Sequence, residues 1–225
     1  MNARTRYRTI IFDLDGTIAD TLPLIYRSFN AALEPAIGRT LDPPEIRRMF
    51  GPPDNQILRS KLEGEAAEAA IERYIAAYEK DHDALVTLFD GLATLLHDAY
   101  ADGIDLAVVT GKSRLTALYT LDRLGVATYF RVIYAGDDVV KQKPDPEALL
   151  AVFEKLGRNP DDTAVIVGDS AADILAGRAA GIRTIGVLWG SPDHAELIAA
   201  RPDALCSTVT ELRTALGITT SGDPV

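Results

Sequence analysis

The sequence predicts an α/β protein: a doubly wound parallel sheet with a Rossmann-like core and a small helical unit inserted after the first strand. Three observations predict it. Short runs rich in Ile and Val, at residues 9–13, 104–110, 131–136, 164–169 and 183–189, are bounded by turn residues and read as strands buried on both faces. From residue 104 onward, helical patterns alternate with these runs, as in successive βαβ units. Between the first run and the second, the chain runs 91 residues from Asp13 to Ile104, where a βαβ unit needs only about 30.

The elements come in order. "TIIFD" (9–13) is the first strand and runs straight into "LDGT". The surplus after it is helical: Leu22, Ile25, Phe29, Ala32 and Leu33 share one face, and Ala67, Ile71, Tyr74, Ile75 and Tyr78 share another. Pro and Gly break residues 34–58 into short pieces. This places a helical insertion at residues 22–86, leaves 1–21 and 87–225 as the core, and resumes the core with the helix "GLATLLHDAY" (91–100). Leu115, Leu118, Leu121 and Leu124 mark one later helix, and Leu149, Leu150, Phe153 and Leu156 mark another. A third, "AADILAGRAAG" (171–181), stops at Gly181. Composition predicts a frayed end at 219–225, "TTSGDPV".

With 225 residues, 47% of them apolar, the chain is long enough to bury a sizeable core. Lys and Arg number 23 against 33 Asp and Glu, and the resulting charge of −10 argues against nucleic acid or an anionic membrane surface as the main partner. The single cysteine, Cys206, cannot form an intramolecular disulfide, which fits a reducing compartment. The apolar run "TIIF" is too short for a signal peptide, and no stretch approaches the 18 or so apolar residues of a membrane span. A cytoplasmic protein is expected.

Ligands of open α/β sheets bind outside the carboxyl ends of the strands, where strand order reverses. The residues just after each strand are therefore informative. Asp13, Asp15, Gly16 and Thr17 come after the first, Thr110, Gly111 and Lys112 after the second, Asp137, Asp138, Lys141 and Lys143 after the third, and Asp169, Ser170 and Asp173 after the fourth. Asp13 and Asp15 are two apart and can lean to one side of a strand end, while Asp169 and Asp173 are four apart and share a helix face. Two carboxylates about 4 Å apart repel by roughly 4 kcal/mol at an effective dielectric near 20, so a cation is expected among them. Four carboxylates without His or Cys are hard oxygen donors that suit Mg²⁺. That cation, a lysine, a threonine hydroxyl and the backbone N–H groups of "TGKS" would cradle a doubly negative tetrahedral anion such as phosphate. One aspartate can then attack phosphorus while a second acid protonates the leaving oxygen.

"DLDGT", "VVTGK", "KQKPDPEA" and "GDSAAD", in this order and spacing, resemble the four motifs of the haloacid dehalogenase superfamily, in its phosphoglycolate-phosphatase-like branch. The resemblance spans essentially the whole chain. It implies that Asp13 is the nucleophile and a metal ligand, and that Asp15 is the general acid and later base, with its backbone carbonyl on the metal. It implies further that Thr110 and the Gly111 backbone bind phosphate, that Lys143 neutralises Asp13 and the phosphate, and that Asp169 and Asp173 serve the Mg²⁺. The insertion resembles a cap that closes over the site and helps choose the leaving group. The substrate implied is a small phosphorylated metabolite, phosphoglycolate among the possibilities.

Other readings share these residues. An inorganic pyrophosphatase or a sugar-phosphate mutase would use the same site, although the resemblance puts a histidine in mutases near the place of Ile25. A phosphoacceptor signalling domain also gathers aspartates, a threonine and a lysine, but it has no place for the 91-residue gap. Among the remaining candidates, Asp20 is expected to cap the first inserted helix, and Lys141 is the alternative to Lys143. Lys112 either touches phosphate or faces solvent at a helix start. Arg47 or Arg48 can meet an anionic substrate tail, and "GPPD" (51–54) is the loop expected to dip toward the site. Trp189 is expected in packing near the pocket, and His82, His97 and His194 carry no assigned role.

Overall fold

The computed structural model describes residues 7–190 and 194–218, so the end predicted to fray, 219–225, lies outside the described residues. The first strand, β1 (Thr9–Phe12), leads through a tight turn to the short β2 (Ala19–Asp20). Four helices come next: α1 (Leu22–Ile37), α2 (Pro43–Arg47), α3 (Asp54–Lys61) and α4 (Gly64–Leu85). The chain returns through β3 (Thr87–Leu88) and α5 (Leu92–Ala101), then alternates: β4 (Asp105–Val109), α6 (Arg114–Arg123), β5 (Phe130–Tyr134), α7 (Glu147–Leu156), β6 (Ala164–Gly168), α8 (Ala171–Ala179), β7 (Arg183–Val187), α9 (His194–Ala199), β8 (Ala204–Cys206) and α10 (Val209–Leu216).

Six strands form one parallel sheet in the order β5-β4-β1-β6-β7-β8, the Rossmann order with β1 at its centre. Phe12 sits level with Val108 on one side and Val167 on the other. Because side chains alternate along a strand, Ile10 and Phe12 enter one core with Leu106, Val108, Val165 and Val167, while Ile11 enters a second with Ala107, Val109 and Ile166. Leu95 and Leu96 of α5, Leu121 of α6 and Leu212 and Leu216 of α10 cover the first face; Leu149, Val152 and Phe153 of α7 and Ala176 of α8 cover the second. The Ile- and Val-rich runs of β1, β4, β6 and β7 are thus continuous because both faces are buried, while the edge strand β5 exposes Arg131.

The predicted strands all form, within two residues of their expected bounds. A sixth, β8, and helices α9 and α10 complete the sheet and its cover; three residues of β8 are too few to show a period in sequence. Asp20 does not cap α1. It lies in β2, which pairs antiparallel with β3 so that Asp20 sits opposite Thr87, and the first residue outside α1 is Thr21. The insertion therefore leaves and rejoins the sheet through one two-stranded ribbon.

Within the insertion, α1 packs along α4 through Phe29 and Tyr74, whose rings meet edge-on at 4.9 Å. Asp42 opens α2 with a reciprocal box: its carboxylate accepts from Glu45 N at 2.8 Å, and the Glu45 carboxylate accepts from Asp42 N at 3.0 Å. The insertion is docked on the core by polar contacts. The buried Asp54 carboxylate accepts from Ser113 Oγ at 3.0 Å, Thr116 Oγ1 at 2.8 Å and Ser113 N at 3.3 Å. The Tyr78 hydroxyl and Thr120 Oγ1 lie 2.6 Å apart, and His82 Nε2 reaches the same threonine hydroxyl at 3.2 Å.

Asp54→Ala leaves a buried N–H and two hydroxyls without their charged acceptor, so urea unfolding should show a loss of about 2–3 kcal/mol. An unchanged midpoint would mean that this carboxylate does not bear the contact.

Candidate active site

The Asp13 N–H donates to Val167 O at 2.9 Å, so this residue extends the ladder by one position and its side chain emerges at the carboxyl edge of the sheet. The chain then turns sharply. The amides of Thr17, Ile18 and Ala19 all converge on Leu14 O, at 3.0–3.3 Å, and Gly16 adopts φ +77°. A Cβ on Gly16 would run into the Asp169 carboxylate, so this turn requires glycine for both its conformation and its space. Thr17 Oγ1 donates to Asp169 Oδ1 at 3.3 Å, and Trp189 Nε1 donates to Thr17 O at 3.2 Å.

Lys143 enters from the loop after β5. Its ammonium donates to Asp13 Oδ1 at 2.9 Å, Asp173 Oδ1 at 2.6 Å and Val109 O at 3.0 Å. Three acceptors match its three protons, so here it acts as a fixed charge between acids from two strand ends. Asp173 is fully buried at the start of α8, where its other oxygen accepts from Ser170 N at 3.1 Å and Ser170 Oγ at 2.6 Å. Asp13, Asp169 and Asp173 each offer a carboxylate oxygen, and these atoms lie within 4.8 Å of one another.

Burial pushes the Asp13 carboxyl up to about 7; Lys143 opposes this, and Asp173 and Asp15 add to it. Asp169 is raised well above the usual carboxylate range by burial and then by its neighbours Asp13 and Asp173. Burial alone would lower Lys143, but Asp13 and Asp173 more than offset it and leave the ammonium above its ordinary value. The cluster thus has more negative charge than one lysine balances. Its donors are all carboxylate oxygens, and among them Asp173 is already engaged by Lys143 and Ser170. This set fits a hard divalent cation such as Mg²⁺.

Asp15 turns away from that cluster. Thr21 Oγ1 donates to its Oδ1 at 2.6 Å, and Lys112 Nζ lies 3.3 Å from its carboxylate. Thr110 is buried at the end of β4, its amide donating to Tyr134 O at 3.0 Å, and it shares the cavity wall with Gly111.

A cavity of about 480 Å³ joins these groups. Asp13, Asp15, Thr110, Gly111, Lys143 and Asp169 form its sheet side; the insertion supplies Ile25, Arg47, Phe50 and Tyr74, and "GPPD" dips in through Gly51, Pro52 and Asp54. Arg48 is not on this wall, and its Nε donates to Pro44 O at 3.1 Å.

Asp13, Asp15, Thr110, Gly111, Lys143, Asp169 and Asp173 all lie at this one sheet edge. Lys141 does not: it pairs with Asp145 at 3.5 Å. Asp137 and Asp138 are structural, accepting from Arg114 N at 2.8 Å and Arg114 NH1 at 2.6 Å. Lys112 does not face solvent; its side chain is 2% exposed. Thr21 was not singled out at all. A threonine six residues after an acid carries no pattern, and only the ribbon geometry brings it to Asp15.

Residues 10–187 match the family described as haloacid dehalogenase-like hydrolase. Pyrophosphatase PpaX of Bacillus pumilus (strain SAFR-032) is 35% identical over 217 residues, covering 96% of this chain and 99% of that protein. Phosphoglycolate phosphatase 1 of Pseudomonas aeruginosa (strain PAO1) is 34% identical over 196 residues, 81% of this chain and 70% of that protein. A solved structure from Haemophilus somnus 129pt, described as a predicted phosphoglycolate phosphatase, shares the fold with a TM-score of 0.84 at 22% identity, covering 94% of this chain and 98% of that one. The chain belongs to the haloacid dehalogenase-like hydrolases and is an enzyme of their phosphoglycolate-phosphatase-like branch.

Proposed function

We propose that this enzyme is a Mg²⁺-dependent phosphomonoester hydrolase, acting on a small phosphorylated metabolite through an aspartyl-phosphate on Asp13. The observation that carries this reading is the ion-paired cluster at the sheet edge: a buried carboxylate held by Lys143 at 2.9 Å, with Asp169 and Asp173 beside it and Thr110 and Gly111 on the same cavity wall. Residues 22–86 act as the cap, and 1–21 with 87–225 as the catalytic core. A cytoplasmic setting agrees with the buried free thiol of Cys206.

Asp13, Asp169 and Asp173, with the Asp15 backbone carbonyl, would hold the Mg²⁺. When bound, the ion supplies positive charge that neutralises these acids and draws negative charge from the transferring phosphoryl group. Lys143 opposes the burial that raises Asp13 and aims its carboxylate. Thr110 and the Gly111 N–H orient the phosphoryl oxygens, and Asp13 attacks phosphorus in line with the leaving oxygen. Asp15 gives that oxygen a proton. It then takes one from the water that attacks the aspartyl-phosphate, which returns Asp13 free and releases phosphate. The cap walls off bulk water during the first step.

Phosphoglycolate and pyrophosphate are the first substrates to test. The second reading, a pyrophosphatase, is favoured by the 35% identity to PpaX over nearly the whole of both chains. Ile25 lines the cavity and offers no titratable group, which speaks against a mutase.

Asp13→Asn should reduce phosphate release to background with unchanged circular dichroism; a fully active variant sinks the mechanism. Chelation with EDTA should abolish turnover and added Mg²⁺ restore it, whereas activity that persists through exhaustive chelation rules out the ion. Arg47→Ala, on the cap side of the cavity, should raise KM for an anionic leaving group about tenfold, the worth of roughly 1.4 kcal/mol, with little change in kcat. Steady-state kinetics on phosphoglycolate and pyrophosphate checks it.

A further inference from the structure

A lysine is rarely buried without a reason, and Lys112 takes no part in the chemistry assigned to the sheet edge. Its side chain is 2% exposed. Among the described residues two groups contact its ammonium, and the charge of Asp54 adds to their attraction. One is the Asp15 carboxylate, with an oxygen at 3.3 Å; the other is the ring of Tyr78, whose centroid lies 4.8 Å away. The first belongs to the sheet edge and the second to α4 of the insertion, so the ammonium is sandwiched between them. The ring itself is fixed. Its hydroxyl and Thr120 Oγ1 on α6 lie 2.6 Å apart, Tyr74 stacks on it at 6.0 Å, and Tyr119 meets it edge-on at 6.2 Å.

We propose that Lys112 is a positioning residue: held against the face of Tyr78, it sets the orientation of the Asp15 carboxylate for proton transfer to the leaving group. The proposal rests on the phosphatase reading and adds to it a group that touches neither nucleophile nor metal cluster. Lysine suits this place because its charge attracts both neighbours, the carboxylate directly and the ring through its negative face. An apolar residue would fill the space but leave Asp15 with Thr21 as its partner.

The test uses two phosphate esters on the full-length enzyme. An alkyl ester needs its leaving oxygen protonated as the P–O bond breaks, whereas p-nitrophenyl phosphate leaves as a stable phenolate and does not. Lys112→Met should lower kcat/KM for the alkyl ester by about 100-fold, the lower range of what a placed general acid supplies, and for p-nitrophenyl phosphate by less than about threefold. Lys112→Arg should recover part of the loss. Tyr78→Leu should reproduce the same leaving-group dependence, and the double variant should be little worse than either single one, since both act through one carboxylate. Equal losses on both esters, or additive losses in the double variant, overturn the proposal and make Lys112 a packing or phosphate-binding residue. If Lys112→Met does not fold, Tyr78→Leu decides the matter by the same ratio of esters. Failure of the unsubstituted enzyme to release phosphate from either ester overturns the phosphatase reading itself, an outcome distinct from equal losses.

Discussion

The bridge from Lys143 to Asp13 and Asp173 is the interaction on which the rest of the site depends. Three buried carboxylates whose oxygens lie within 4.8 Å of one another cannot all be ionised without compensation. Each pair at about 4 Å costs roughly 4 kcal/mol at an effective dielectric near 20. One ammonium brings three negative charges to two. The remainder equals the charge of one divalent cation, and the same imbalance pushes Asp13 and Asp169 above the usual carboxylate range. In the proposed mechanism the nucleophile needs its lone pair, so the charge balance that makes the cluster tolerable would also make Asp13 reactive.

The fold brings these charges together because of where strand order reverses. β1 lies between β4 and β6, and Asp13, Thr110 and Asp169 each come directly after one of those strands, at neighbouring positions on one edge. Crowding at this edge is relieved by glycine. A side chain on Gly16 would occupy the space of the Asp169 carboxylate, and one on Gly168 would occupy that of Asp173. The glycines of "DLDGT" and "GDSAAD" are therefore as much part of the acid cluster as the acids, since they let two strand ends approach to carboxylate contact.

Most of this was legible in the sequence for a physical reason. Strands buried on both faces must be continuously apolar, so β1, β4, β6 and β7 declare themselves, and the residues just beyond the strands' carboxyl ends must lie at the same edge. Asp13, Thr110 and Asp169 were thus readable from position, while Lys143 was told from Lys141 only by the motif "KQKPDPEA". Asp20, Thr21 and Lys112 were not readable. Asp20 has the composition of a helix cap, but β2 needs a partner, and β3 lies some 67 residues away in the chain. Thr21 reaches Asp15 only because that ribbon forms. Lys112 looks like any lysine at a helix start, and its burial depends on Tyr78, a residue of the insertion that local periodicity identifies only as apolar face. Contacts between the insertion and the core have no signature in either segment.

That distinction carries over to the chemistry. Asp13 is held by groups of the core alone: the ladder to β6, Lys143 and, through Lys143, Asp173 and Val109. Asp15 is held by Thr21, the last core residue before the insertion, and by Lys112, which rests on Tyr78 of α4. In the proposed mechanism, the attacking group is then held by the core alone, while the proton-transfer group also leans, through Lys112, on Tyr78 of the insertion. An aspartyl-phosphate formed on such a site is hydrolysed by water only when Asp15 is placed to take its proton. In that mechanism the ring of Tyr78 is the one group of α4 on which the placement of Asp15 depends, and it acts through Lys112.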